Sequence, residues 1–218
     1  MSITKPTSLK LTYFDMPGKA ETSRLAFFVG GIEFEDERLT REQFQALKPS
    51  LPFGQVPILT INGELVIAQS KAILHYAGIL SGLYPGNDDL LATLLIDQVV
   101  EAIEDIWLKL RSCIFETDEA KKSQLRQALI SDVYPPMLAA FDKFLEKHSG
   151  AYAVGNSVSI ADLRIYIMFD MLSGSSPHVA WIPNDLIAPY ANIARVFNSI
   201  KAHPRVVEWE AKNAARQK

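Results

Sequence analysis

One cysteine, Cys113, stands among 218 residues. A lone thiol excludes an intramolecular disulfide, a Cys-x-x-Cys redox pair and a thiolate zinc site, and with them thiol–disulfide exchange as an activity. The four histidines, His75, His148, His178 and His203, are scattered. None has the three- or four-residue spacing that puts two ligands on one helical face, so no metal site is expected. Positive charge is not in excess, with 22 Lys and Arg against 25 Asp and Glu. That balance cannot neutralise a phosphate backbone and argues against nucleic acid as a partner. No apolar run approaches the roughly 18 residues needed to span a bilayer, and residues 1–8 hold no apolar signal core. The expectation is a cytoplasmic protein with no membrane partner. Gly-x-Gly-x-x-Gly and Gly-x-Ser-x-Gly are both missing, which removes the usual dinucleotide and serine-hydrolase signals.

What is present is enough apolar material, 48% of residues, for well-formed cores. Residues 9–13 read as a short strand that breaks at Pro17-Gly18 into a helix over 20–29, with Leu25, Ala26, Phe28 and Val29 on its apolar face and Gly30-Gly31 at its end. Residues 32–39 alternate apolar and acidic and read as a second strand, completing a βαβ unit. Tyr13 then sits where a buried strand opens onto a loop and a helix N-terminus. A phenol there serves either core packing or hydrogen-bond donation into a cleft, and the local sequence leaves both open.

Residues 40–55 are polar and irregular, with a short helical piece at 41–47. Two apolar runs, 56–61 and 64–67, are joined by Asn62-Gly63, a pair suited to the positive φ angles of a type I′ hairpin, so these strands must be antiparallel. Pro57 opens the first of them, where a proline does not break the ladder. A helix follows over 70–80. The order βαβ then ββα in about 75 residues is that of a thioredoxin-like domain with a mixed sheet.

A turn-rich stretch at 83–89 reads as a boundary, and no strand signal recurs after it. Residues 90–114 repeat Leu95, Val99, Ile103, Ile106 and Leu110 at helical spacing, while Asp97, Glu101, Glu104 and Asp105 crowd another face. Those carboxylates form a solvated face or meet a cation across a cleft or subunit boundary. A second long helical pattern, 119–147, contains Pro135-Pro136, where a kink or break is expected. Ser159 and Asp162 read as a capping box, with Val158 and Leu163 as its staple, starting a buried helix over 160–172. Two shorter helices are expected at 189–200 and from 204 onward. The domains expected are 1–83, thioredoxin-like; 84–89, linker; and 90–218, all-helical.

This arrangement resembles the cytosolic glutathione transferases, and the motif wording is most similar to their sigma class, which includes the haematopoietic prostaglandin D synthases. The matching stretches are Leu-Thr-Tyr-Phe (11–14), Gly-Lys-Ala-Glu (18–21), Leu-Pro-Phe-Gly-Gln-Val-Pro-Ile-Leu (51–59), Gln-Ser (69–70), Glu-Asp (104–105) and Gly-Asn-Ser-Val-Ser-Ile-Ala-Asp (155–162). The resemblance implies that Tyr13 is the catalytic tyrosine, its hydroxyl aimed at the glutathione sulfur. It implies a cis-Pro57 presenting the Val56 backbone to the cysteinyl part of glutathione, and Gln69 and Ser70 holding the γ-glutamyl end. Lys48 would pair with the glycine carboxylate, and Asp105 would reach the γ-glutamyl ammonium across a homodimer interface. The resemblance also assigns Lys19, Phe44 and Gln55 to the glutathione site, where many sigma members carry Arg, Trp and Lys. The wall of the electrophile site would comprise Phe14, Met16, Trp107, Arg111, Arg164 and Met168, and Arg164 stands where prostaglandin D synthases have an aromatic residue.

The activity implied is conjugation of glutathione, activated as a thiolate, to small hydrophobic electrophiles, with no cofactor beyond glutathione itself. The alternatives are a glutathione-dependent isomerase of the prostaglandin D synthase type and a non-catalytic ligand-binding or structural relative. Retention of Tyr13, Gln69, Ser70 and Asp105 together argues against the last. Cys113 reads as a buried helix residue.

Overall fold

The computed structural model describes residues 6–147, 150–175 and 179–216. Residues 1–5 of the segment read above as lacking a signal core, and His148 and His178, lie outside the described residues. The chain divides into two compact units, one of residues 1–88 with 204–218 and one of residues 89–203.

The first unit carries a four-stranded mixed sheet of order β2-β1-β3-β4, with β1 at Leu9–Phe14, β2 at Glu35–Leu39, β3 at Ile58–Ile61 and β4 at Leu65–Ala68. β1 runs parallel to β2, Tyr13 opposite Arg38, and antiparallel to β3, Leu11 opposite Leu59. The β3–β4 hairpin turns at Asn62 (φ 55°) and Gly63 (φ 75°), the two positive angles that a type I′ turn demands. α1 (Glu21–Val29) follows a single 3-10 turn at Gly18–Ala20. α2 (Arg41–Leu47) is started by a Thr40/Gln43 capping box that the sequence reading had not singled out. α3 (Ser70–Ser81) ends at Gly82 in the left-handed region, φ 71°. α1 and α3 pack on each other, and Leu11, Leu25, Phe27, Leu59 and Ile73 form a fully buried core.

The second unit holds α4 (Leu90–Ile114), α5 (Glu119–Ala128), α6 (Tyr134–Glu146), α7 (Ile160–Asp170) and α8 (Ala191–Lys201), and its described residues contain no strand. α7 lies against both α4 and α8 and buries eight of its eleven residues, the pattern of a central helix. Asp162 accepts from the Ser159 N–H at 2.8 Å, the Ser159 hydroxyl at 2.7 Å and the Ala153 N–H at 2.6 Å, so the capping box also pins the preceding loop. Pro135-Pro136 does not break α6 but lies in its first turn, where missing N–H groups cost no intrahelical bond. The irregularity falls upstream, as a π turn at Leu129–Val133.

The last helix, α9 (Pro204–Arg216), expected as part of the 90–218 helical domain, packs on α1 and groups by contact with the first unit. Trp209 explains this, because its ring meets Phe28 with centroids 5.1 Å apart and is 3% exposed.

Candidate active site

Tyr13 is buried near the end of β1, 8% exposed, and its hydroxyl oxygen accepts the backbone N–H of Lys19 at 3.2 Å. A phenol oxygen that accepts this bond still has its own proton to donate elsewhere. The chain returns to Tyr13 by way of Gly18, which has φ +48°. A Cβ at that position would come within 2.6 Å of the Tyr13 hydroxyl. Both the angle and the space therefore require glycine there.

Lys19 was expected to contribute its side chain in place of an arginine. What the structure places against Tyr13 is the Lys19 main-chain N–H.

A second feature was not read from the sequence at all. Arg24 on α1 is fully buried and over the Tyr13 ring, 5.7 Å from its centroid. Its Nη1 donates to the carbonyls of Met16 at 2.8 Å and Pro17 at 3.3 Å, its Nη2 to that of Phe14 at 3.3 Å. The charge is matched by Glu21 at 3.1 Å and Asp36 at 2.8 Å. One guanidinium thus holds three carbonyls of the turn leading from Tyr13 to Gly18, a use of the planar donor fork that lysine could not reproduce. The Glu21/Arg24 pair at i, i+3 was the available sequence signal. Its burial was not legible, because charged residues are seldom fully buried unless paired.

From Tyr13 a series of ring contacts runs outward. Phe14 meets the Tyr13 ring edge-on at 5.4 Å and the Phe44 ring at 5.0 Å, and Lys48 Nζ lies 6.0 Å from the Phe44 ring. Phe14, assigned to the electrophile wall, and Phe44 and Lys48, assigned to glutathione, are therefore brought together, while Met16 is exposed. The Val56–Pro57 peptide bond is cis. Pro57 is buried, Val56 half-buried and Gln55 exposed.

Gln69 precedes α3 with φ +76° and makes no side-chain capping bond. A non-glycine residue held at that angle is the kind of outlier that concentrates at ligand sites. It leaves the first N–H groups of a 12-residue helix, from Ser70 on, uncapped by a side chain, an arrangement suited to a carboxylate.

The other candidates belong to the second unit. Asp105 is exposed on α4 and lines a groove of about 910 Å³ together with Lys109, Arg111, Ser112, Phe115 and Met137. Asp105 and Arg111, assigned to different subsites, share this groove, and the Arg111 guanidinium lies 5.7 Å from the Phe115 ring. Trp107 is half-buried, and its indole N–H is buried with no acceptor among the described residues. Arg164 donates to Glu104 at 2.9 Å. Glu104 is therefore not part of a solvated acidic face. Burial pulls the Arg164 pKa down, opposed by the Glu104 charge. Met168 is buried one turn along from Arg164. Cys113 is buried, and burial raises its thiol pKa, so it has the character of an inert core residue.

Comparison with known proteins matches residues 9–78 to the glutathione S-transferase N-terminal domain and residues 104–213 to the glutathione S-transferase C-terminal domain. The chain is 34% identical over 205 residues to glutathione S-transferase 1 of Ascaris suum, covering 93% of this chain and 95% of that one. The chain belongs to the glutathione S-transferase family. Within that family it is also 30% identical over 200 residues to the hematopoietic prostaglandin D synthase of Gallus gallus, covering 92% and 94% of the two chains. Among solved structures, prostaglandin synthase D of Nilaparvata lugens superposes with a TM-score of 0.82 at 27% identity, covering 94% of this chain and 98% of that one. As a glutathione S-transferase, the protein carries its Tyr13 turn and its Gln69–Ser70 helix entry on the domain matched to the family's N-terminal model. No helix among the described residues is long and apolar enough to cross a membrane.

Proposed function

We propose that this protein is a sigma-like, cytoplasmic glutathione transferase that binds glutathione, ionises its thiol through the Tyr13 hydroxyl and adds the thiolate to a small hydrophobic electrophile, with no other cofactor. The observation that carries the reading is the bond from the Lys19 N–H to the Tyr13 oxygen. It orients the phenol and leaves its proton for the sulfur. A free thiol with a pKa near 8.5 is only a few per cent ionised at pH 7. Lowering that pKa by about two units needs about 2.7 kcal/mol, within reach of a charge-assisted hydrogen bond in a protected site. The phenol donates and is not consumed as a base, so catalysis consists of activation plus proximity of the electrophile.

In this reading the Val56 backbone pairs with the cysteinyl segment as a short antiparallel strand. Gln69 and the N–H groups at the start of α3 receive the γ-glutamyl carboxylate, Lys48 faces the glycine carboxylate, and Lys19 and Gln55 border the peptide. Asp105 of a second copy takes the γ-glutamyl ammonium, which makes the working form a homodimer. A second reading, a glutathione-dependent isomerase, is favoured by the likeness to two prostaglandin synthases. It would use the same thiolate with a shaped acceptor pocket. The Arg164–Glu104 ion pair at that wall is a difference from the aromatic residue expected in such a pocket.

The test is Tyr13→Phe, assayed with glutathione over a panel of electrophiles and a prostaglandin endoperoxide. Conjugation at pH 7 should fall tenfold or more with glutathione affinity nearly unchanged. Full activity in the variant would remove Tyr13 from the mechanism.

A further inference from the structure

Four residues of α9 face α1 and its entry turn. Arg205 donates to the Phe28 carbonyl at 2.7 Å, Trp209 Nε1 to Glu21 Oε1 at 2.8 Å, Asn213 Nδ2 to the same oxygen at 3.2 Å, and Arg216 to Asp15 at 2.9 Å. The spacing of four, four and three puts them on one helical face. Glu21 is buried, and its two oxygens are divided: Oε1 serves α9, while Oε2 accepts from Arg24 Nη1 at 3.1 Å. That same Nη1 holds the Met16 and Pro17 carbonyls. Asp15, inside the turn, is gripped from outside by Arg216 and by Arg38 at 3.2 Å.

Nη1 has two protons and three acceptors within reach, so how they are shared depends on where the Glu21 carboxylate sits. Its position in turn depends on the two α9 donors, because a buried carboxylate oxygen without a donor is expensive and will turn to find one. The chain of contacts then continues from the turn through Gly18, whose absent Cβ admits the Tyr13 hydroxyl, to the Lys19 N–H that orients it.

We propose that α9 is a positioning element for Tyr13: through Trp209 and Asn213 it sets Glu21, through Glu21 it sets Arg24, and through Arg24 it fixes the turn that aims the phenol at the bound thiol. Trp209, Asn213, Glu21 and Arg24 are positioning residues, since none is in contact with the reacting atoms. The inference rests on Tyr13 being the hydrogen-bond donor to the glutathione sulfur.

The test replaces the two donors with groups of similar volume, Trp209→Phe with Asn213→Leu, in the full-length protein. Trp209→Phe alone serves as the milder variant should the pair fold poorly. The ultraviolet absorbance of the bound thiolate is titrated, with glutathione affinity and melting temperature measured beside it, in the wild-type and Tyr13→Phe backgrounds. The thiolate fraction at pH 7 should fall about threefold, glutathione affinity should stay within about twofold, and in Tyr13→Phe the same replacements should shift the titration no further. An unchanged titration, whatever the loss of stability, makes α9 a structural strap and overturns the inference. So does an equal shift in the Tyr13→Phe background, because the effect would then bypass Tyr13. If Tyr13→Phe alone leaves the titration unmoved, the reading of the site falls and the inference falls with it. If Tyr13→Phe shifts the titration and the α9 variants do not, only the inference fails.

Discussion

Arg24 and Arg164 are both withdrawn from solvent, one in each unit, yet they are held differently. Arg24 donates to Asp36, Glu21 and the carbonyls of Phe14, Met16 and Pro17. Arg164 donates to the single carboxylate of Glu104, with the two side chains 13% and 15% exposed. In the first case the guanidinium is a scaffold for main chain. In the second it is one half of an ion pair. A buried pair can be replaced by apolar groups at little cost if both members go together, whereas a charge that also satisfies backbone acceptors cannot.

The largest effect is expected from Arg24→Met. It takes the donor from Glu21 Oε2 and from the turn carbonyls, and loss of one member of a buried pair costs about 3–5 kcal/mol. In a chain of this size that lowers the melting temperature by roughly 10 °C or more. Adding Glu21→Gln should recover little of it, because the carbonyls still lack a donor. Calorimetric melting of both variants checks this.

Gly18→Ala leaves Arg24 in place and disturbs only the geometry it sets. A methyl 2.6 Å from the Tyr13 hydroxyl, on a backbone at φ +48°, has nowhere to go. Conjugation should fall about tenfold or more through kcat, with the fold retained at a cost of roughly 1–2 kcal/mol. Steady-state kinetics beside a melting curve separates the two effects.

Arg164→Met should be milder than Arg24→Met, costing about 1–3 kcal/mol for the ion pair that Glu104 loses. Arg164→Met with Glu104→Gln should melt within a few degrees of wild type. A double variant as damaged as Arg24→Met would show that the two arginines play the same part.

Much of this fold could be read from local pattern. Asn62-Gly63 fixes a hairpin because few residues accept its angles. α4 repeats its apolar residues over seven turns, and its observed limits coincide with those expected. Motif wording singled out Tyr13, Val56–Pro57 and Gln69–Ser70, where the structure has a buried phenol, a cis peptide bond and a positive φ at Gln69.

What escaped was non-local. Glu21 meets Trp209 across 188 positions in the chain, and no periodicity in α9 says that its tryptophan belongs against α1. Arg24 drew no reading of its own, because three of the acceptors that make its burial possible are carbonyls, and these leave no trace in the sequence. The π turn before Pro135 escaped for a related reason. A proline marks where a helix is awkward, and the adjustment falls in the turn before it.

The most direct test of the account is the titration of the bound glutathione thiol by its ultraviolet absorbance, in wild type and in Tyr13→Phe. Removing one oxygen leaves the ring against Phe14 and takes away only the donor, so the fold should persist. The thiolate should form well below the free thiol's pKa of about 8.5 in wild type and shift upward by about one unit or more in the variant. Coincident titration curves for the two proteins would contradict the assignment of Tyr13 and place the stabilisation of the thiolate on another group.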